Sequence, residues 1–419
     1  MLTVMRNSWA LFLGMLLLMM GNGVQGTLLG IRGGIEGFST TQMSFVMSAY
    51  FVGFLFGSRL TPGMIRRVGH VRVFAALASM ISAALMMFAV VPDWMVWVVM
   101  RVLIGFSFSG VYIVAESWLN DASTNETRGQ ALSFYMIMQM SGIIAAQGLL
   151  NTADPSGFML FIIPSILVSV AFTPILLSVS PVPAFELTKP LSLKKLFATS
   201  PLGCVGIFLL GGVFSAQFGM VSVWGTEAGL SVKNLSIFVA AIYFGGLVFQ
   251  YPIGWISDRI DRRPLILSLS VMGALATILA ALFSGSFAVL LVMGMVMGGM
   301  SNPLYSLLVA YTNDFLDNAD MAAASAGLIF INGLGAITGP MIAAWMMSVF
   351  GPSGFFLFMA VLFIALAGYA GWRMTRRRVV QNPDQVYGFT PLSPSAGVIA
   401  IEAALEAHSE SPAEDPQNP

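Results

Sequence analysis

The chain has 419 residues, of which 57% are hydrophobic and only 9% charged, with 19 basic and 19 acidic side chains and a mean hydropathy of +0.85. Soluble globular chains carry about a quarter charged residues, so water is not the principal solvent here, and zero net charge offers no basic surface to nucleic acid. Cys204 is the single cysteine, which excludes an intrachain disulfide and a thiolate metal cluster.

Apolar stretches of roughly 18 to 25 residues, each enough to cross a hydrocarbon core as a helix, recur along the chain. Hydropathy and the Gly, Pro and charge breaks place them at 8–30, 42–61, 71–91, 95–118, 129–151 and 156–179, then 201–224, 235–256, 264–283, 287–312, 323–348 and 354–373. The first could be mistaken for a signal peptide, but it continues past Gly26 and many spans follow, so we read it as a retained helix. The fold class is therefore an all-α membrane protein of about twelve spans. Its predicted units are a six-helix bundle over 1–179, a linker over 180–200, a second six-helix bundle over 201–373 and a tail over 374–419. The linker is polar and broken by Pro181, Pro183 and Pro190. The tail is rich in proline, serine and acids and reads as disordered, with Glu402, Glu406 and Glu410 spaced to form one face of a short amphipathic helix.

Basic residues segregate to one side of this pattern. Arg6, Arg59, Arg66, Arg67, Arg72, Arg128, Lys189, Lys194, Lys195, Arg259, Arg262, Arg263, Arg373, Arg376, Arg377 and Arg378 share one face, whereas Arg32 and Lys233 fall on the other and Arg101 lies within a span. The positive-inside rule makes that basic face cytoplasmic, with both termini on it. The two halves also repeat. The segment from Pro62 aligns with that from Gly254 at an offset of 192 residues, and at the same offset Gln25 meets Gln217.

The run Gly254-Trp-Ile-Ser-Asp258-Arg259-Ile-Asp-Arg262-Arg263 resembles the inter-helix loop motif of the major facilitator superfamily. Arg101-Val-Leu-Ile-Gly105 is similar to its fourth-span motif, and Arg128-Gly129 opens the fifth span as it does there. Ala115-Glu116-Ser117-Trp118 with Gln250-Tyr-Pro-Ile-Gly254 looks most like the YcaD-like branch. The first half departs from the pattern, with Arg66 at the motif aspartate and Pro62 at the glycine, so a charge relay would be asymmetric. Asp261 replaces a later glycine of the motif, and the fifth-span glycine-proline signature of drug–proton antiporters is absent.

An ionisable group in a span costs about 2.5–3.5 kcal/mol on insertion scales unless it is paired or solvated, so each one demands a reason. The resemblance points Arg101 into a central cavity, as a ligand for an anionic group or part of the coupling machinery; otherwise it is capped by neighbouring carbonyls. Glu116 lies roughly 22 Å further along the same helix, as a proton carrier or as a latch to Arg128, Arg66 or Arg67. Asn22, Gln25, Gln217, Asn302 and Tyr305, with Tyr112, Gln139 and Tyr243, are candidates for hydrogen-bonding a solute or a neighbouring helix. Asp258, Arg259 and Arg262 are expected to close the basic face. Pairs such as Gly53/Gly57, Gly294/Gly298 and Gly335/Gly339 suit close helix packing.

Intramembrane hydrolysis lacks its residues, since His70 falls in a predicted loop, His408 in the tail, and no HExxH or GxSxG occurs. A channel would need a filter or a ring of charges. The sequence thus implies a monomeric secondary transporter of a small organic solute in a bacterial inner membrane. It would be proton-coupled and work by alternating access, with no cofactor, metal or nucleic-acid partner. A transporter-derived sensor and a drug or metabolite efflux pump are the alternatives.

Overall fold

The computed structural model describes residues 2–121, 123–177, 192–316, 318–376, 389, 391–392 and 399–400. The first bundle comprises α1 (Leu2–Ile35), α2 (Thr40–Val68), α3 (His70–Val90), α4 (Trp94–Asp121), α5 (Asn125–Leu149) and α6 (Met159–Leu177). A short helix, α7 (Leu193–Thr199), precedes the second bundle. There the seventh span is built of α8 (Pro201–Ser215), a π-turn over Ala216–Met220 and α9 (Val221–Glu227). The remaining helices are α10 (Val232–Ser257), α11 (Arg262–Leu282), α12 (Phe287–Asn313), α13 (Asn318–Phe350) and α14 (Ser353–Arg376).

Eleven of these spans are long and apolar enough to cross a bilayer, and α6 completes the twelve with a shorter apolar stretch, Met159–Pro174. Local chemistry sets the helix ends. Ser39 and Gln42 form a capping box at the start of α2, and Asp261 accepts the Arg263 N–H at the start of α11. Gly69, at φ +85°, reverses the chain so tightly that α3 begins at the next residue. His70 is consequently not in a loop as the sequence suggested. It is the buried first residue of α3, 3.0 Å from Ser117 Oγ.

The repeat extends to the packing. In the first bundle α1 pairs with α5 and α6, α2 with α4, and α3 with α4 and α6; in the second α8 pairs with α13 and α14, α10 with α12, and α11 with α12 and α14. Glycines make the tightest crossings possible. A Cβ on Gly53 would lie 2.0 Å from the Val102 carbonyl oxygen, and one on Gly105 1.9 Å from that of Tyr50. Gly245, 192 residues on from Gly53, meets Met295 O at 1.9 Å, and Gly298 meets Ile242 O at the same distance. No residue larger than glycine fits between these backbones. Between bundles, α2 packs on α13, α5 on α10 and α1 on α9.

Most of the linker and tail, including the glutamates of the amphipathic pattern, lies outside the described residues. Within the linker, α7 buries Leu196 against Gly327, and Lys195 pairs with Asp320 at 2.6 Å. Within the tail, Phe389, Leu392 and Ala400 are buried. Phe389 occupies the space that a Gly254 side chain would take, and its N–H donates to Asp258 Oδ1 at 2.7 Å. Leu392 N–H donates to Ser306 Oγ at 3.0 Å. The described tail residues therefore dock on the basic ends of α10 and α12.

Candidate functional site

Between the bundles lies a cavity of about 140 Å³, lined from α1, α2, α4 and α5 on one side and from the π-turn, α10, α12 and α13 on the other. Arg101 enters it from α4 and is 4% exposed. Its Nε donates to Val46 O at 3.4 Å, Nη2 approaches Met47 Sδ at 3.6 Å, and the guanidinium lies 4.8 Å from the centre of the Tyr50 ring. Among the described residues no carboxylate is within ion-pair distance of it.

Aromatic rings form much of the remaining wall. Tyr50 and Phe54 are 6.2 Å apart on α2, and across the cavity Phe218 stacks on Phe214 at 5.6 Å and on Tyr243 at 4.8 Å. The π-turn creates part of this arrangement. One extra residue per turn rotates the side chains that follow, bringing Gln217, Phe218 and Gly219 to the wall together. Gln217 Oε1 accepts from Ser301 Oγ at 2.9 Å, while Gln217 Nε2 and Asn302 Oδ1 are fully buried and without a protein partner.

Of the residues singled out from sequence, Asn22, Arg101, Tyr112, Gln139, Gln217, Tyr243 and Asn302 line this cavity. Gln25 and Tyr305 do not. Gln25 is about 100° around α1 from the lining residue Gly26, as helical geometry dictates for adjacent positions, and Tyr305 is sunk inside the second bundle with Phe214 at 6.0 Å. Sequence reasoning missed Tyr50, Phe54, Phe218, Gln147 and Asn332. An aromatic in an apolar span gives no signal. Gln147 and Asn332 were legible by the cost of an amide in a bilayer, but were not singled out.

The face opposite the basic one is sealed where α1 meets α9. A Cβ on Gly30 would lie 2.1 Å from Ser222 Oγ and one on Gly34 2.5 Å from Thr226 Cγ2, and Thr40 donates to Glu227. Glycines on α1 let the two helices close on one another without an intervening side chain.

The basic face holds the other candidates. Arg66 and Arg67 are exposed in the last turn of α2, and Glu116 is 1% exposed on α4. Arg128 is half-buried in the first turn of α5. Arg259 lies on the Trp255 ring at 4.0 Å. Arg262 is 3% exposed and pairs with Asp314 at the end of α12, with Asp258 Oδ1 further away at 3.9 Å. Sequence analysis did not single out Asp314. Burial would raise the Asp261 carboxyl, but Arg263, with Nη2 at 2.6 Å and Nε at 3.2 Å, outweighs it and holds that carboxyl below its usual range.

Two pseudo-repeated six-helix bundles around a partly polar cavity define a multi-pass membrane protein of the solute-carrying class, with no hydrolytic constellation among the described residues. The sequence profile of the Major Facilitator Superfamily matches residues 11–244 and 203–395, and the chain belongs to that superfamily of secondary transporters. It is 28% identical over 386 residues to the uncharacterized MFS-type transporter Ent638_1421 of Enterobacter sp. (strain 638), covering 90% of this chain and 97% of that one. It is 24% identical over 381 residues to the uncharacterized MFS-type transporter YcaD of Salmonella typhi, with the same coverage. Among solved structures, the nucleoside transporter NupG superposes with a TM-score of 0.71 at 16% identity, covering 89% of this chain and 100% of that one. A bacterial homologue of the human lysosomal transporter Spinster, inward-facing and unoccupied, gives 0.67 at 13% identity, covering 98% and 99%.

Proposed function

We propose that this protein moves a small organic solute across a bacterial inner membrane by alternating access through the central cavity, as a monomer with both termini in the cytoplasm. The observation that carries this reading is the cavity itself, which lies between two repeated bundles with α1 and α9 in close contact at the face opposite the basic one. A solute held there would have access to one side at a time, and rocking of the bundles would exchange that side for the other. The curated relatives come from enterobacteria, and the basic residues collect at the face that carries the chain ends.

The test locks the seal. An ideal Cβ on Gly34 lies 3.7 Å from Thr226 Cβ, within the span of a disulfide. In a Cys204→Ser background, Gly34→Cys with Thr226→Cys should oxidise to a crosslink that stops flux, and reduction should restore it. A reporter cysteine placed by Gly26→Cys, where nothing stands within 4 Å, should then be labelled by impermeant maleimide from the basic face only. Labelling from the opposite face with the lock closed would defeat alternating access.

Coupling is to protons in this reading, and Glu116 carries it as a buried carboxylate on α4. Glu116→Gln should abolish accumulation driven by a pH gradient while counterflow continues. Gradient-driven uptake that survives the substitution would remove Glu116 from that role.

A further inference from the structure

We infer that the solute is a small aromatic monocarboxylate, its carboxylate seated on Arg101 and its ring held among Tyr50, Phe54, Phe218 and Tyr243. The inference rests on the transport reading above and names the substrate class of the same cavity.

Charge comes first. Arg101 keeps its proton at any accessible pH, and its partners are one backbone carbonyl, one thioether sulfur and one ring face. None of these carries a formal negative charge. A guanidinium so placed needs an anion, and its planar fork matches a carboxylate edge to edge. Arg101 is also the single charged residue among those lining the cavity. One fixed positive charge fits a monoanion; a phosphate dianion would leave an uncompensated charge, and an amine would be repelled.

The walls decide the rest of the molecule. Tyr50 lies beneath the guanidinium, and the stacked pair Phe218 and Tyr243 offers flat faces on the other bundle. Such surfaces favour a ring in offset-stacked or edge-on contact over a flexible aliphatic chain. Size agrees, because a cavity of about 140 Å³ is close to the engineered one of about 150 Å³ that accepts benzene. Gln217 and Asn302 add amide groups to the lining, a donor and acceptor type that suits a phenolic hydroxyl on that ring.

The probes are benzoate, 4-hydroxybenzoate, the neutral isostere benzamide, benzylamine and the aliphatic hexanoate, tested by ligand-induced thermal stabilisation of the purified full-length protein. Benzoate and 4-hydroxybenzoate should bind about tenfold or more tightly than benzamide, as expected for loss of a charge-assisted hydrogen-bond pair. 4-Hydroxybenzoate should exceed benzoate, and hexanoate should bind more weakly than either. Arg101→Lys should weaken benzoate by about tenfold and Arg101→Gln should erase the preference over benzamide. Benzamide binding as tightly as benzoate to the unaltered protein overturns the assignment, and that comparison needs no variant to fold. Failure of both carboxylates to bind overturns it equally. The transport reading is judged separately, by the crosslink at Gly34 and Thr226, which needs no aromatic acid. If that lock controls access to the cavity while benzylamine or benzamide is the ligand that binds, the substrate class falls and alternating access stands.

Discussion

Arg262 shows how much one side chain can carry at the basic face. It is almost wholly buried, pairs with Asp314 at the end of α12, donates toward Ser257 Oγ at 3.4 Å and keeps Asp258 in view at 3.9 Å. The turn between α10 and α11 is thereby tied to the end of α12 within one bundle. Asp314→Asn should destabilise the protein by about 3 kcal/mol, because it leaves a buried guanidinium short of its counter-charge. Arg262→Met combined with Asp314→Leu should cost less than Asp314→Asn alone, since both charges leave together. Thermal unfolding in detergent checks the order. A double variant less stable than the single one would show that the two residues do more than compensate one another. Asp314 gave no sequence signal, because an acid at the end of a span is also the ordinary place for a solvated one.

At the scale of helices, the crossings of α2 with α4 and of α10 with α12 depend on glycine. Gly53→Ala would press a methyl group onto the Val102 carbonyl and should cost about 1–3 kcal/mol, the usual penalty of overpacking. Gly63→Ala, in the same helix with nothing within 4 Å, should be neutral or slightly stabilising. Equal melting temperatures for the two variants would contradict the crossing. The tail offers a second test at this scale. Its composition reads as solvated, yet Phe389 fills the notch at Gly254 and Leu392 exchanges hydrogen bonds with Ser306, N–H to Oγ at 3.0 Å and Oγ–H to the Leu392 carbonyl at 3.3 Å. Ser306→Cys, in a Cys204→Ser background, should label slowly with maleimide in the full chain and about tenfold faster once residues 381–419 are removed, as protection follows the open population. An unchanged rate would mean that the tail does not occupy this groove in the membrane.

For the whole molecule, orientation follows from charge. Reporter fusions at residues 190 and 380 should read as cytoplasmic and one at Lys233 as periplasmic, because the basic residues segregate that way. A periplasmic signal at 190 would require an odd number of spans before it, against the six helices that precede it here.

The all-helical membrane fold, a span number of about twelve and the superfamily resemblance were determined by the sequence itself. Hydropathy, charge segregation and a loop motif act along the chain and survive without knowledge of contacts. Arg101 was legible for the same reason, since the cost of a charge in a bilayer is a property of its position in a span. Tertiary structure alone decided which residues face one another. It turned Gln25 away from the cavity and brought Tyr50 in, because facing depends on helix rotation, and rotation is fixed by glycine crossings and by a five-residue π-turn that no periodicity announces. It gave Arg262 to Asp314 across 52 residues of chain. It also seated Phe389 on Gly254, a contact between two segments whose compositions, one of loop and one of tail, hold no trace of their meeting.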